Sequence, residues 1–156
     1  MSIYASKHFK FNEFKCPCPK CRNKKVRVSS LLLFKLEEMI IIIDGGLDLH
    51  RPVIVLSGNR CIEYNREIGG YNDSAHMPNP DGEAADIKVI GIKPIDLGLI
   101  AEKVGELRIG IAGWGIHTDI RKPSPSKFWV YEPTVIYSGR IQNESLLEFY
   151  NIVKRG

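Results

Sequence analysis

The 156-residue chain has no long hydrophobic run. Its longest run of large aliphatic side chains, Met39 to Ile43, is bordered by Glu37, Glu38 and Asp44. That is far short of the ~20 apolar residues a membrane-spanning helix needs. No apolar stretch follows the start of the chain, Met1-Ser2-Ile3-Tyr4-Ala5-Ser6-Lys7-His8, so an ordinary signal peptide is not expected. Synthesis in the cytoplasm is the expectation, with any action on a cell wall requiring release or a non-classical route. Internal repeats and low-complexity tracts are absent. An excess of one charge is nearly absent too: 22 basic against 18 acidic residues leave +4 at pH 7. This suits an anionic partner but is too little to indicate nucleic acid. With 44% hydrophobic and 26% charged residues, the composition is that of a globular protein. It excludes a disordered chain, a collagen-like chain and a coiled coil. The length fits one domain over residues 1–156, expected to be monomeric, with a Cys-rich N-terminal segment at 1–25 and a C-terminal helix within 140–156.

Periodicity places the elements. Leu32, Leu33, Leu36, Met39, Ile40 and Ile43 recur at helical spacing between Ser29 or Ser30 and the stop at Gly45-Gly46. Pro52–Ser57 reads as a short β-branched strand, and a short helix is expected over Ile62–Ile68. Residues 71–83 read as loop, Ala84–Ile90 as a strand, and Pro94 opens a helix that Gly105 ends near Val104. Leu107–Ala112 and Gly115–Ile120 read as strands joined by a Gly113-Trp114 turn. Further strands are expected at Phe128–Tyr131 and Thr134–Tyr137, before a last helix capped by Asn143. Clustered strands between early and late helices predict an α+β fold: a small, mainly antiparallel sheet with helices packed on one side.

Two of the four histidines, His76 and His117, sit in unusual company; His8 and His50 do not. His76 precedes a loop that leads to Asp86, a carboxylate inside the otherwise apolar run Ala84-Ala85-Asp86-Ile87-Lys88-Val89. Burying a carboxylate is costly unless it is paired or binds metal. His117 and Asp119 alternate with Ile116, Thr118 and Ile120, so on a strand they share one face. Two histidines and one carboxylate on a rigid sheet leave a fourth tetrahedral position open, as in catalytic zinc sites. No HExxH helix is present, which excludes a zinc protease of that class.

The ordered series Ser57-Gly58-Asn59-Arg60, Asn65, Gly69-Gly70, Ser74-Ala75-His76, Gly82-Glu83-Ala84-Ala85-Asp86 and His117-Thr118-Asp119-Ile120-Arg121 resembles a known pattern. It is similar to the SGxR…N…GG…SxH…GxAxD…HxD series of the zinc D-Ala-D-Ala carboxypeptidase family, phage and bacterial peptidases that cut cell-wall peptides. Phe9 to Cys16 also resembles that family's N-terminal FxxxEF-C segment. The resemblance spans residues 9–121 and implies His76, Asp86 and His117 as zinc ligands. It also implies a cell-wall stem peptide as substrate; from the charge, no nucleic-acid partner is expected. Met77–Asp81 departs from the pattern as a small insertion. Trp114 stands where several relatives carry an acidic base. The base is then expected at Asp119, with a role in orienting a ligand histidine as the alternative; Glu83 is a weaker candidate. Arg60 is expected to grip a substrate carboxylate or a developing oxyanion, against a salt bridge to Glu63 or Glu67. Ser74 is expected to bind peptide or to cap its loop.

Cys16, Cys18 and Cys21 are densely spaced, and Cys61 follows Arg60. A second, structural zinc tying the N-terminal loop beside Arg60 is one expectation; neighbouring reduced thiols and a disulfide are the others. Three functions follow for comparison. The first is a zinc peptidase acting on peptidoglycan stem peptides. The second is a non-catalytic, zinc-containing cell-wall-binding module of the same fold. The third is a nucleic-acid binder built on a cysteine knuckle and the basic residues of Lys20–Arg27, which lacks any aromatic stacking pattern.

Overall fold

The computed structural model describes residues 2–45, 51–77, 81–121, 128–131, 135–136 and 139–140. His50 and the helix expected after Asn143 lie outside these residues. Helix α1 spans Ser30–Asp44 and buries Leu32, Leu33, Leu36, Met39 and Ile40, the face expected from its periodicity. Gly45 ends it at φ +55, a left-handed conformation that a glycine adopts without a Cβ clash. Strand β1 (Val53–Ser57), helix α2 (Ile62–Glu67), strand β2 (Ala84–Val89) and helix α3 (Pro94–Val104) follow. Then come β3 (Arg108–Ala112), β4 (Gly115–Asp119) and β5 (Phe128–Val130). Val135–Ile136 and Gly139–Arg140 pair as a separate two-stranded ladder. None of the helices among the described residues is long and apolar enough to cross a membrane.

The five strands form one sheet in the order β1-β2-β4-β3-β5. All neighbours are antiparallel except β3 and β5, which run parallel. The α+β architecture agrees with the sequence pattern. Leu36 and Met39 of α1, Ile95, Leu97 and Ala101 of α3, and Ile87, Ile109, Ile111 and Ile116 of the sheet share one buried core. Strand alternation sends their neighbours to the opposite face.

On that opposite face the ladder aligns one row across all five strands. Ser57 pairs with Asp86, Asp86 with His117, His117 with Gly110, and Gly110 with Trp129. Directly opposed residues point to the same side of a sheet. A bulge between Val55 and Ser57 sets Ser57, rather than Leu56, against Asp86. Chemistry-bearing residues distant in sequence are thus brought together by register alone.

The N-terminal segment packs across the end of β1. Phe9 and Phe14 are buried with ring centroids 5.8 Å apart. Gly58 meets the Phe14 backbone so closely that a Cβ would lie 2.5 Å from the Phe14 Cα, so only glycine fits there. Glu37 of α1 clasps the same segment. It accepts hydrogen bonds from Ser6 Oγ at 2.6 Å and the His8 backbone N–H at 2.9 Å, and meets the His8 ring at 2.5 Å. Burial alone would raise the Glu37 carboxyl, but the hydrogen bonds from His8 and Ser6 outweigh it and hold the group below its ordinary value. A lowered carboxyl stabilises the fold above its unfolded-state value and loses that contribution as pH falls through the folded-state one. Glu37→Gln is therefore expected to cost roughly 1–2 kcal/mol at neutral pH, with the difference from wild type vanishing in acid. Denaturant unfolding measured across pH checks this; a difference that persists below pH ~3 contradicts it.

Candidate metal centre

Three side chains meet at the centre of the cross-sheet row. His76 Nε2 lies 3.0 Å from Asp86 Oδ1 and 3.0 Å from His117 Nδ1, and His117 Nδ1 lies 2.8 Å from Asp86 Oδ1. All three residues are buried. The other ring nitrogens fix the tautomers. His76 Nδ1 is 2.6 Å from the Gly58 carbonyl, which only accepts, so Nδ1 carries the proton and Nε2 a lone pair. His117 Nε2 is 2.9 Å from Asp119 Oδ2, which leaves the lone pair on Nδ1. With both rings so disposed, three acceptors face one point with no donor between them. Only a cation, a proton or a metal ion, reconciles them. The donor set of two imidazoles and one carboxylate fits zinc with one position left open.

The electrostatics agree. Burial alone would lower the His117 imidazole, but its hydrogen bonds to Asp119 and Asp86 outweigh this and raise it. Burial would likewise raise the Asp86 carboxyl, and His117 and His76 instead hold it well below the carboxylate range. The raised His117 imidazole favours a proton in the metal-free triangle, and an incoming ion would displace it.

Neighbouring groups lock each ligand. Arg60 donates from Nη2 to Asp86 Oδ2 at 2.7 Å and from Nε to Ser57 Oγ at 2.9 Å, turning the other carboxylate oxygen toward the histidines. The alternative salt bridge from Arg60 to Glu63 does not form; Glu63 pairs with Lys20 at 2.8 Å. Asp119 is fully buried. Its Oδ2 accepts from His117, and its Oδ1 accepts from the Arg121 backbone N–H at 3.0 Å. It meets His117 at Nε2, the nitrogen on the far side of the ring from the converging lone pairs, where it orients the imidazole. This contact is the geometry of the second of the two roles expected for it. Ser74 Oγ accepts from the His76 backbone N–H at 3.3 Å, closing its own loop. Asn65 is buried and donates from Nδ2 to the Tyr71 carbonyl at 2.9 Å, holding the Gly69-Gly70 turn.

The triangle lies in a cleft of about 720 Å³ lined by Arg60, Arg108, Arg121, Ser74, Tyr71, Trp114, Trp129 and Tyr131 among others. Among the described residues its carboxylates are Asp73 and Asp86. Glu83 lines a separate cavity of about 920 Å³ beside residues 24–30 and is not among the residues lining the cleft. His8 is paired with Glu37, away from the centre. Trp114 is 47% exposed at the cleft rim.

Sequence reasoning missed Arg108, Trp129 and Tyr131. Arg108 stands opposite Asp119 in the β3–β4 register, and its guanidinium lies 5.7 Å from the Trp129 ring centroid. Trp129 packs 5.6 Å from the His117 ring. Gly110 makes room for it: a Cβ there would come within 2.6 Å of the Trp129 and Tyr131 rings. An arginine opening the apolar run Arg108–Ala112 was the available signal; the parallel pairing that delivers Trp129 left none. Burial, together with the negative charge of Asp86, pushes the Tyr131 phenol up to about 12. It therefore stays protonated at neutral pH.

His76→Ala and His117→Ala are each expected to lose one zinc equivalent relative to wild type in zinc titrations. Wild-type binding at this centre is expected to release protons and to weaken as pH falls through the raised His117 value. Calorimetry in buffers of different ionisation enthalpy measures the release. Binding without proton release near neutral pH contradicts the proton expected in the metal-free triangle.

No curated protein and no solved structure matches the chain. A family sequence model described as Peptidase M15 matches residues 7–120, which hold the three converging side chains and their neighbours up to Asp119. The chain belongs to the Peptidase M15 family.

Proposed function

We propose that this protein is a zinc-dependent peptidase that hydrolyses peptide bonds in the stem peptides of bacterial peptidoglycan. The observation that carries the reading is the convergence of three metal-directed lone pairs in an arginine-lined cleft. Family membership supports a metallopeptidase in general. The stem-peptide substrate rests on the resemblance of the motif series and on the cleft's charge.

His76, Asp86 and His117 would hold the zinc ion, which when bound would supply an activated water and polarise the scissile carbonyl. The protein's own groups do the rest. Asp119 keeps the proton on His117 Nε2 and so presents Nδ1 to the metal. Arg60 fixes Asp86 and faces the cleft. There it joins Arg108 and Arg121, which also lie 3.8 and 3.6 Å from Asp119 Oδ1, in giving the cleft a positive charge that suits the carboxylates of an anionic peptide. Ser74 lines the same cleft and is a candidate to bind the peptide backbone.

One observation favours the binding-module reading. Among the described residues, no cleft carboxylate besides Asp73 is available to act as base once Asp86 serves as a ligand. Digestion of purified peptidoglycan with the zinc-loaded protein, followed by mass spectrometry of the fragments, decides between the two. The peptidase reading predicts newly released stem fragments that disappear with His117→Ala. Wall binding with every stem linkage intact establishes the binding module instead.

Asp119→Ala separates its two roles. A positioning role predicts zinc affinity lower by about 10–100-fold, with turnover largely restored at saturating zinc. Unchanged affinity with turnover down ~10²–10⁴-fold at saturating zinc would make it the general base.

A further inference from the structure

Cys16, Cys18, Cys21 and Cys61 are unused by the peptidase chemistry, and the structure brings all four to one place. We propose that they hold a structural zinc ion that fixes the loop supporting the catalytic centre. None is in a disulfide. The sulfurs of Cys16, Cys21 and Cys61 lie within 4.8 Å of one another, and that of Cys18 lies within 4.8 Å of Cys61. Four thiolates around zinc at ~2.3 Å stand roughly 3.8 Å apart, so small side-chain adjustments complete the shell. The turn geometry is already in place: the Cys21 backbone N–H donates to the Cys18 carbonyl at 2.9 Å.

Two further features suit thiolates. Backbone N–H groups point at sulfur, from Cys61 to Cys16 Sγ and from Tyr64 to Cys61 Sγ, each at 3.4 Å. Such donors stabilise sulfur's negative charge. Lys15, Lys24, Lys25 and Arg60 line a cavity of about 290 Å³ together with Cys16, Cys21 and Cys61. Zinc with four thiolates carries a net charge of −2, which these cations balance.

The position gives the site its role. Cys61 ends the segment in which the Gly58 carbonyl takes the His76 proton and Arg60 holds Asp86. The Asn59 N–H donates to the Phe14 carbonyl at 2.8 Å, and the Arg60 N–H to the His76 carbonyl at 2.7 Å. The cysteine site ties residues 16–21 to this segment and so fixes two of the three catalytic ligands from behind. Its metal content does not depend on the peptidase reading.

The test uses the full chain purified under reducing conditions, with His117→Ala to vacate the histidine centre. The proposal predicts about one zinc per His117→Ala chain by elemental mass spectrometry, and thiols that react only after chelation. Cobalt substituted into that variant should give strong sulfur-to-cobalt charge-transfer absorption. Adding Cys16→Ser and Cys21→Ser should abolish both; the wild-type thiol and metal readings stand even where that variant fails to fold. Chelation of His117→Ala should speed amide exchange at Asn59 and Arg60 about tenfold or more. A His117→Ala protein without zinc and with four freely reactive thiols overturns the proposal, as do disulfides found by alkylation without reductant. Unchanged exchange at Asn59 and Arg60 overturns the supporting role. Failure of the peptidase reading would appear separately, as uncut stem peptides with both metals present.

Discussion

Three lone pairs aimed at one buried point form the constraint on which the rest of this structure depends. His76 Nε2, His117 Nδ1 and Asp86 Oδ1 sit 2.8–3.0 Å apart. Acceptors this close repel unless a cation lies between them, and burial amplifies the repulsion. The arrangement holds because each ligand's other polar atom is occupied. Gly58 takes the His76 proton, Asp119 takes the His117 proton, and Arg60 takes the second Asp86 oxygen. Removing any of these contacts frees a ring or carboxylate to rotate and pair internally, which would dissolve the centre.

The fold makes this economical. One face of the sheet meets α1 and α3 and carries Ile87, Ile109, Ile111 and Ile116. The other face carries the polar row from Ser57 through Asp86, His117 and Gly110 to Trp129. The period-2 alternation that buries isoleucine thereby presents ligands, and strands precise in register hold them more rigidly than loops would. His76 alone comes from a loop, and it is the ligand with the most elaborate support. Its backbone N–H bonds Ser74 Oγ, its carbonyl takes the Arg60 N–H, and its ring bonds Gly58.

Much of this was legible in the chain because its signals were local. The α1 periodicity, the Pro94 start of α3 and the β3–β4 hairpin depend on near neighbours, and their observed bounds fall within one or two residues of those expected. His117 and Asp119 share a face by spacing alone, and Asp86 stood out as a charge in an apolar run. Long-range pairing was not legible. Nothing local says that β5 lies parallel to β3, so Trp129 and Tyr131 could not be placed in the cleft. Nor does spacing reveal that Arg60 pairs with Asp86 rather than Glu63, or that Asp119 meets His117 on the side away from His76 and Asp86. Those outcomes are set by a bulge at β1 and by ring orientation, which only the folded molecule displays.

A crystal of the zinc-loaded protein, measured at the zinc absorption edge, tests the central claim most directly. The account predicts an anomalous peak ~2.0–2.1 Å from His76 Nε2 and His117 Nδ1 and ~2.0–2.2 Å from an Asp86 oxygen, with Asp119 still bonded to His117 Nε2. A peak bound through His117 Nε2, a peak carrying Asp119 as a ligand, or no zinc at this triangle would contradict it.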